Sequence, residues 1–355
     1  MSRFMHERHA GLAPYVTPKD RDAARIRLDM NEPPFPPSPK AVARAAEAAR
    51  TLARYPDPDC VALTEETARI IGASSDELMF ANGSDEILSF IFMAFCGPDR
   101  HAAAPEISYS FYSVLARLNG VEMRTIPLQP DLSLRPADAV SPGAGAIFIP
   151  NPNSPTARAL SVAEMEEIVR ANAGSVVVID EAYVDFGTQT CLPLVRRWDN
   201  VLIVRTFSKS RALAGARLGF VVGHPDTVRD LRIIKGSCAP YGVDAMTQAA
   251  GLGALEDEAW AQEQCREACR VRDASAKELR DAGLDVGPSA TNFLLARCPS
   301  MDGPALARRL KDRGILVRAF GDAALRPYAR ITVGTEDEMH ELARTVREIL
   351  GEVSA

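Results

Sequence analysis

Short, continuously apolar segments that alternate with helical patterns constrain the fold of this chain more than any other feature. The sharpest of them, Val176–Ile179, has four branched aliphatic residues in a row. A strand without polar alternation is buried on both faces, as in a parallel sheet covered by helices on each side. We predict strands at 77–81, 100–104, 121–127, 146–149, 176–179, 201–205 and 219–222. The sequence therefore predicts an α/β fold whose mainly parallel, seven-stranded sheet is sandwiched by helices.

The pattern changes after Gly236, and the change predicts a second, smaller α+β domain. A long charged helical stretch at 243–281, interrupted by its glycines, is followed by strands at 291–296, 315–319 and 329–333. Helices are predicted between and after these strands, at 303–313 and 336–350. A length of 355 residues fits about two domains. We predict an N-terminal arm and proline-rich strap at 1–38, a large domain at 39–240 and a small domain at 241–355, with both chain ends joining the small domain.

Charge and cysteine content narrow the function classes. Lys and Arg number 41 against 47 Asp and Glu, a net charge of −6 that argues against a general nucleic-acid or membrane-surface binder. The seven cysteines are scattered, so no disulfide framework is expected, and Cys265 and Cys269 lack the second ligand pair of a metal site. The N-terminus has no apolar signal segment and the chain no membrane-length apolar run, so we expect a cytoplasmic protein.

The segment that follows the predicted strand 201–205 carries the sharpest chemical pattern. It offers the hydroxyls of Thr206 and Ser208, the amine of Lys209 and the guanidinium of Arg217. A lysine amine condenses with an aldehyde, and hydroxyls with a guanidinium suit a phosphate dianion. An aldehyde that also carries a phosphate is pyridoxal 5′-phosphate. The alternative for this segment alone is a solvated basic turn.

An acidic residue closes the apolar strand 176–179. A carboxylate at the end of a buried strand is costly unless a cation or hydrogen-bond donor faces it, and the protonated nitrogen of a pyridine ring is such a partner for Asp180. Tyr183, a few residues further on, is placed to reach the phenolic oxygen of the same ring. The alternative is an acidic helix cap.

Three weaker segments have both a chemical and a structural interpretation. The turn at 82–86 contains Gly83 and Ser84 and predicts an anion site at a helix N-terminus, although such residues also simply cap helices. Aromatic residues at 108–112 suit stacking on a planar ring, but they equally fit an ordinary core. The loop at 150–156 is stiff and rich in amide and hydroxyl donors.

Together and in this order, these segments resemble the pyridoxal-phosphate-dependent aminotransferases of fold type I, and most closely the histidinol-phosphate aminotransferase family. The resemblance spans nearly the whole chain. Besides the segments above, it is carried by Ala13-Pro14-Tyr15, Leu28-Asp29-Met30-Asn31-Glu32, Tyr55-Pro56-Asp57-Pro58, Thr291-Asn292-Phe293, Leu316-Val317-Arg318 and Arg330-Ile331-Thr332-Val333-Gly334-Thr335.

The resemblance implies roles for the cofactor residues. Lys209 would bind the cofactor aldehyde and act as general acid and base, Asp180 would pair with the pyridine nitrogen, and Tyr183 would contact the phenolic oxygen. Tyr109 would stack on the ring. The residues implied for the phosphate are Gly83, Ser84, Thr206, Ser208 and Arg217.

The resemblance also implies a shared site and a substrate pocket. Tyr55 would reach the cofactor phosphate of a neighbouring subunit, which makes a homodimer part of the site. Arg330 would clamp the substrate α-carboxylate, with a surface arginine as the alternative, while Arg318 and Tyr15 would face the distal part of the substrate. Asn31 would border the pocket from the strap.

Two segments depart from the family pattern. Where the family has Asn-Pro-Thr-Gly, this chain has Ser154-Pro155-Thr156-Ala157, so either Ser154 or the preceding Asn153 contacts the phenolic oxygen, and we favour Asn153. Where the family has Asn-Glu-Asn-Pro, the strap reads Asn31-Glu32-Pro33-Pro34, which bears on substrate identity.

The expected activity is ping-pong transamination between histidinol phosphate and 2-oxoglutarate. The alternatives are an aromatic or broad-range amino-acid aminotransferase, a phospho-amino-acid decarboxylase of the same fold, and a ligand-binding module without turnover. The complete set of Lys209, Asp180, Tyr183 and Arg217 favours an enzyme over such a module. Only a short segment precedes the strap, which also argues against a DNA-binding extension.

Overall fold

The structure is a computed structural model that describes residues 2–9, 12 and 24–354. The strands of the described part are β1 (Ile26–Leu28), β2 (Leu78–Asn82), β3 (Ala102–Pro105), β4 (Met123–Ile126), β5 (Ala146–Pro150), β6 (Val176–Asp180), β7 (Val201–Thr206), β8 (Leu218–Gly223), β9 (Asp285–Val286), β10 (Phe293–Arg297), β11 (Ile315–Ala319) and β12 (Tyr328–Thr332). The helices are α1 (Pro39–Ala48), α2 (Val61–Ile71), α3 (Gly83–Phe95), α4 (Phe111–Asn119), α5 (Val162–Ala171), α6 (Leu192–Val195), α7 (Pro225–Cys238), α8 (Ala245–Glu256), α9 (Glu258–Asp281), α10 (Gly303–Lys311) and α11 (Glu336–Ser354).

The large sheet has the order β2-β8-β7-β6-β5-β3-β4 within the described residues. Neighbouring strands from β7 to β4 are parallel, whereas β8 runs antiparallel to both β7 and β2. Central strands are in close register, with Ile179 of β6 opposite both Ile149 of β5 and Ile203 of β7. The predicted α/β fold with a mainly parallel seven-stranded sheet is confirmed.

Successive residues of the central strands point into two different apolar cores. On β6, Val177 and Ile179 belong to the core beneath α2, α5 and α8, whereas Val178 belongs to the core beneath α3, α4 and α7. This alternation explains why the strand sequence is apolar at every position, because both faces are covered by helices. Polar residues enter only where β5, β6 and β7 end, so all three strands deliver them to one edge of the sheet.

The small sheet has the order β1-β11-β12-β10-β9. It is antiparallel except at its edge, where β1 from the N-terminal segment pairs in parallel with β11 and places Ile26 opposite Ile315. Apolar residues of α9, α10 and α11 cover this sheet and form a core of its own. The chain segment just before the strap is therefore built into the same sheet as the C-terminal strands. The strap itself comprises residues 29–38.

The long helical stretch predicted at 243–281 is two helices, and they pack in different places. The break between α8 and α9 lies at Asp257 rather than at the glycines, because Gly251 and Gly253 lie inside α8. Ala250 and Ala254 of α8 belong to the core of the large sheet. We therefore propose that the small domain begins with α9, later than the boundary predicted between residues 240 and 241.

Close backbone packing fixes α8 against α1. A Cβ atom added to Gly253 would lie 2.5 Å from the carbonyl oxygen of Lys40, at the start of α1. Because the obstacle is backbone, no side-chain rotation relieves it. Among the described helices, none is both long and apolar enough to cross a membrane.

We expect Gly253→Ala to lower the free energy of unfolding by about 1–3 kcal/mol, because the added methyl group forces α1 and α8 apart. Gly236→Ala is the matched control, since Gly236 is exposed within α7 and a Cβ there meets nothing within 4 Å. This control should raise stability by up to about 1 kcal/mol through helix propensity. Denaturant titration measures both values, and equal stability of the two variants would contradict the packing argument.

Candidate active site

Asp180 lies at the carboxyl end of β6 and is buried. One carboxylate oxygen accepts a hydrogen bond from the Tyr112 hydroxyl at 2.8 Å, and the other accepts one from the Ala182 amide at 3.1 Å. Burial raises the pKa of the Asp180 carboxyl to about 6, although both hydrogen bonds act in the opposite direction. A carboxylate in this setting is stabilised by any cation that comes to face it.

Tyr112 is a residue of this site that sequence reasoning missed. It stands on α4 and is almost fully buried, with its ring stacked on Phe148 of β5 at a centroid distance of 5.1 Å. Burial and the nearby Asp180 charge raise its pKa well above the usual value for tyrosine, so the hydroxyl is a donor. The sequence shows Tyr112 only as one of several aromatic residues at 108–112, and its contact depends on how α4 packs over the sheet.

Lys209 and Tyr183 face each other near the strap. The Lys209 ammonium nitrogen lies 6.0 Å from the centre of the Tyr183 ring and donates to the Met30 carbonyl oxygen at 3.3 Å. The Tyr183 hydroxyl accepts a hydrogen bond from Asn31 Nδ2 at 2.8 Å, and its ring meets Phe293 edge-on. Lysine and tyrosine from the large sheet thus meet the strap directly.

An anion-binding cradle forms where α3 begins beside β8. Gly83 opens α3 with a φ of +79°, and a Cβ added there would lie 2.6 Å from Nη2 of Arg217. The Thr206 hydroxyl donates to Ser208 Oγ at 2.9 Å and accepts from the Ser208 amide at 3.1 Å, which fixes both side chains. Ser84 follows Gly83 in the first turn of α3. The helix N-terminus, guanidinium and hydroxyls together suit a phosphate group.

Asp85, also in the first turn of α3, connects two of the predicted cofactor residues. One of its oxygens accepts from the Tyr109 hydroxyl at 3.0 Å, and the other accepts from Arg217 Nη2 at 3.0 Å. Desolvation, followed by the negative charge of Asp85, raises the pKa of Tyr109 above its usual range. The sequence suggests only a helix-capping role for Asp85. Its contacts join three segments that are far apart in the chain, so no local pattern reveals them.

The loop after β5 uses its two candidate residues differently. Asn153 is buried, and its Nδ2 donates to the Ile107 carbonyl at 2.8 Å and to Thr156 Oγ1 at 3.0 Å. Among the described residues, Asn153 Oδ1 has no hydrogen-bond partner. Ser154 instead accepts a hydrogen bond from Arg330 Nη1 at 3.2 Å. These contacts direct Ser154 towards the predicted substrate residue, and Asn153 as the cofactor contact stays a prediction.

The small sheet contributes two arginines. Arg330 on β12 lies directly opposite Arg318 on β11, and opposite residues of antiparallel strands share one face of the sheet. Arg330 Nη2 donates to the Asp29 carbonyl oxygen at 3.1 Å, and its guanidinium carbon lies 5.3 Å from the centre of the Phe293 ring. This face therefore presents two adjacent positive charges to the site.

Asn31 joins the strap to both sheets. Its side chain contacts Tyr183, its backbone amide donates to Thr332 Oγ1 at 2.9 Å, and its carbonyl accepts from Asn292 Nδ2 at 3.1 Å. It is buried and has a φ of +54°, a left-handed conformation that asparagine tolerates better than most residues. Asn31 thus lies between the cofactor residues and the arginine pair.

Two predicted residues lie apart from this cluster. Tyr55 is 82% exposed and stacks on Tyr241 with ring centroids 4.7 Å apart. Tyr15 lies outside the described residues. The Asn31–Tyr183 and Arg330–Ser154 contacts connect the segments that carry the other predicted residues, namely the ends of β5 to β7, the start of α3, the strap and the small sheet. These residues are Lys209, Asp180, Tyr183, Gly83, Ser84, Tyr109, Asn153, Thr206, Ser208, Arg217, Asn31, Arg318 and Arg330.

Comparison with known proteins agrees with this arrangement. Residues 24–346 match the family model described as aminotransferase class I and II. Histidinol-phosphate aminotransferase 2 of Dechloromonas aromatica is 42% identical over 356 residues, covering 99% of this chain and 100% of the relative. Histidinol-phosphate aminotransferase 1 of Bordetella parapertussis is 43% identical and covers 98% of this chain and 99% of its own length.

Among solved structures, the histidinol-phosphate aminotransferase of Sinorhizobium meliloti in complex with pyridoxal-5′-phosphate superposes with a TM-score of 0.90. The sequences are 26% identical, and the superposition covers 99% of each chain. Family model, relatives and superposition agree over nearly the full length. The chain therefore belongs to the class I and II aminotransferases and, within them, to the histidinol-phosphate aminotransferase family.

Proposed function

We propose that the protein transfers the amino group of histidinol phosphate to 2-oxoglutarate, with pyridoxal 5′-phosphate as cofactor and by a ping-pong mechanism. The observation that carries this proposal is the position of Lys209 between the cofactor residues of the large sheet and the strap that leads to the arginine pair. The Dechloromonas and Bordetella relatives, both named histidinol-phosphate aminotransferases, support the same substrate.

The residues fit this cofactor by their own chemistry. Asp180 is a buried carboxylate that a ring N–H cation would stabilise, and the cradle around Gly83 and Arg217 suits a phosphate. Tyr109 is partly exposed beside that cradle and offers an aromatic face. We assign the ring nitrogen to Asp180, the phenolic oxygen to Tyr183 and Asn153, the ring face to Tyr109, and the phosphate to Gly83, Ser84, Thr206, Ser208 and Arg217.

Lys209 moves the proton during the reaction. When bound, the cofactor supplies an aldehyde that takes up the amino group and a ring that accepts the electron pair of the broken C–H bond. Lys209 takes the α-proton from the donor and returns it to the neighbouring cofactor carbon, so one amine serves as base and then as acid. Asp180 keeps the ring nitrogen protonated, and Tyr183 holds the phenolic oxygen in place.

The arginine pair favours a donor with a dianionic group. In histidinol phosphate, a CH2 group that carries the phosphate is bonded to the reacting carbon. In 2-oxoglutarate, a carboxylate is bonded to the reacting carbon at the same position. Arg330 is oriented by Ser154 and the Asp29 carbonyl, and Arg318 lies beside it. We propose that both arginines bind this anion, so that Arg318 serves the near group rather than the distal part of the substrate. Two guanidinium groups suit the phosphate dianion of histidinol phosphate better than the single carboxylate of an aromatic amino acid.

We further propose a homodimer with shared active sites. Tyr55 and Tyr241 are 82% and 48% exposed yet stack on each other, an arrangement typical of a surface that a partner covers. The loop that carries Tyr55 is fixed from behind, because the buried Lys235 donates to the Pro58 carbonyl and Gln248 to the Asp57 carbonyl. A rigid loop with an exposed aromatic tip is suited to reach into a second subunit.

The first prediction from the proposed function concerns the cofactor lysine. We expect borohydride reduction of the holoenzyme to attach the cofactor to Lys209 alone, since this amine lies among the assigned cofactor residues. Peptide mapping measures the position of the label. Lys209→Ala should remove both label and activity, whereas Lys277→Ala, at an exposed surface lysine, should retain both. A label on another lysine would contradict the assignment.

The second prediction concerns the substrate anion. We expect Arg318→Ala to reduce single-turnover reactivity with histidinol phosphate by roughly 10- to 100-fold, the effect of losing one charged hydrogen bond. Reactivity with histidinol, which lacks the phosphate, should change little. The cofactor absorbance reports both reactions. Arg297→Ala, at an exposed arginine paired with Asp285, is the control. Equal losses for both amines would mean that Arg318 does not recognise the phosphate.

The third prediction concerns the shared site. We expect a Tyr55→Ala variant, weakly active alone, and a Lys209→Ala variant, inactive alone, to recover activity when mixed, because a hybrid dimer contains one intact site. Random exchange should restore about a quarter of wild-type activity per subunit. Mass spectrometry of the mixture verifies exchange, and a double variant mixed with either single variant is the control. Demonstrated exchange without recovery would rule out sharing through Tyr55.

A further inference from the structure

The contact between Tyr112 and Asp180 has no assigned role in the reaction. Tyr112 donates a 2.8 Å hydrogen bond to one Asp180 oxygen while the Ala182 amide donates to the other. The Tyr112 and Asp180 side chains are both buried, so their hydrogen bond is shielded from bulk water. The Tyr112 ring is stacked on Phe148 and meets Tyr109 edge-on, which fixes the position of its hydroxyl.

We propose that Tyr112 is a positioning residue that keeps the proton on the cofactor ring nitrogen by making Asp180 a weaker base. The inference rests on the proposed function only through the cofactor, because Tyr112 is assigned no contact with the substrate. Without the hydroxyl, Asp180 would hold the shared proton more strongly, and the ring would lose the positive charge that draws electrons from the reacting carbon.

The surroundings of Asp180 make this donor important. The charged groups near it include Asp85 from α3 and Glu181 from the chain after β6, and both favour protonation of Asp180. Glu181 is itself paired with Arg205 on β7 at 2.8 Å, and Asp85 with Arg217 and Tyr109. Within the part of the chain that the structure describes, the Tyr112 hydroxyl and the Ala182 amide are therefore the groups that stabilise the Asp180 carboxylate.

Tyr112→Phe is the sharpest test, since it removes the hydroxyl and keeps the ring that packs on Phe148. The readout is the midpoint pH at which the absorption band of the bound cofactor changes in the holoenzyme without substrate. We call this value the band pH. Loss of the ring charge favours the protonated form of the nearby Lys209 nitrogen, so this pH should rise by about one unit. The kcat should fall about tenfold while KM for the amino donor stays nearly constant.

Tyr328→Phe is the matched control, because Tyr328 lies at the start of β12 and has no part in the assigned site. Its band pH and kcat should equal those of the wild type. A structural defect alone would lower the thermal stability of Tyr112→Phe without moving the band pH. An unchanged band pH in Tyr112→Phe would overturn the proposal.

A double-mutant cycle separates action through Asp180 from any other effect of the hydroxyl. In an Asp180→Asn background the side chain no longer competes for the ring proton, so adding Tyr112→Phe should leave the band pH where Asp180→Asn alone puts it. An equal rise in both backgrounds would show that Tyr112 acts independently of Asp180. Because no substrate is present, an error in the proposed amino donor would leave this result intact.

Discussion

The buried carboxylate of Asp180 is the constraint around which the active site is organised. Strand β6 carries it to the sheet edge, where desolvation disfavours its charge and leaves its pKa near 6. Two donors stabilise it, and a ring cation would complete its surroundings. The same apolar covering that makes β6 a buried strand therefore leaves a desolvated carboxylate, which the cation of a cofactor ring would stabilise.

The strap residues 29–31 connect the two sheets that build the site. The Asp29 carbonyl accepts from Arg330, the Met30 carbonyl from Lys209, and Asn31 bonds Tyr183 as well as Thr332. The substrate recognition that we propose for the small sheet and the proton transfer that we propose for Lys209 thus depend on one short segment. Because backbone carbonyls make two of these contacts, the position of the strap matters more than the identity of its side chains.

Much of the placement of the candidate site was predictable, because the predicted cofactor residues directly follow strand ends in the chain. The strands 146–149, 176–179 and 201–205 were predicted from their apolar runs, and Asp180 and Lys209 follow from chemistry at those strand ends. Three features were not predictable. Tyr112 and Asp85 act through contacts between separate elements, and α8 packs closely on α1 because Gly253 admits the backbone of Lys40. Side-chain type alone does not distinguish such residues from an ordinary core tyrosine or a helix cap.

The sequence by itself determined the two-faced burial of the central strands and the order of the predicted cofactor residues, since these follow from local composition and spacing. It also indicated the family, through the resemblance of its ordered motifs. The tertiary structure alone decided which residues touch. It placed Arg318 opposite Arg330, and it directed Ser154 towards Arg330. It also brought the Tyr112 hydroxyl within hydrogen-bond distance of Asp180. The physical reason is that these contacts join residues far apart in the chain, so their geometry depends on how sheets and helices pack and not on any local pattern.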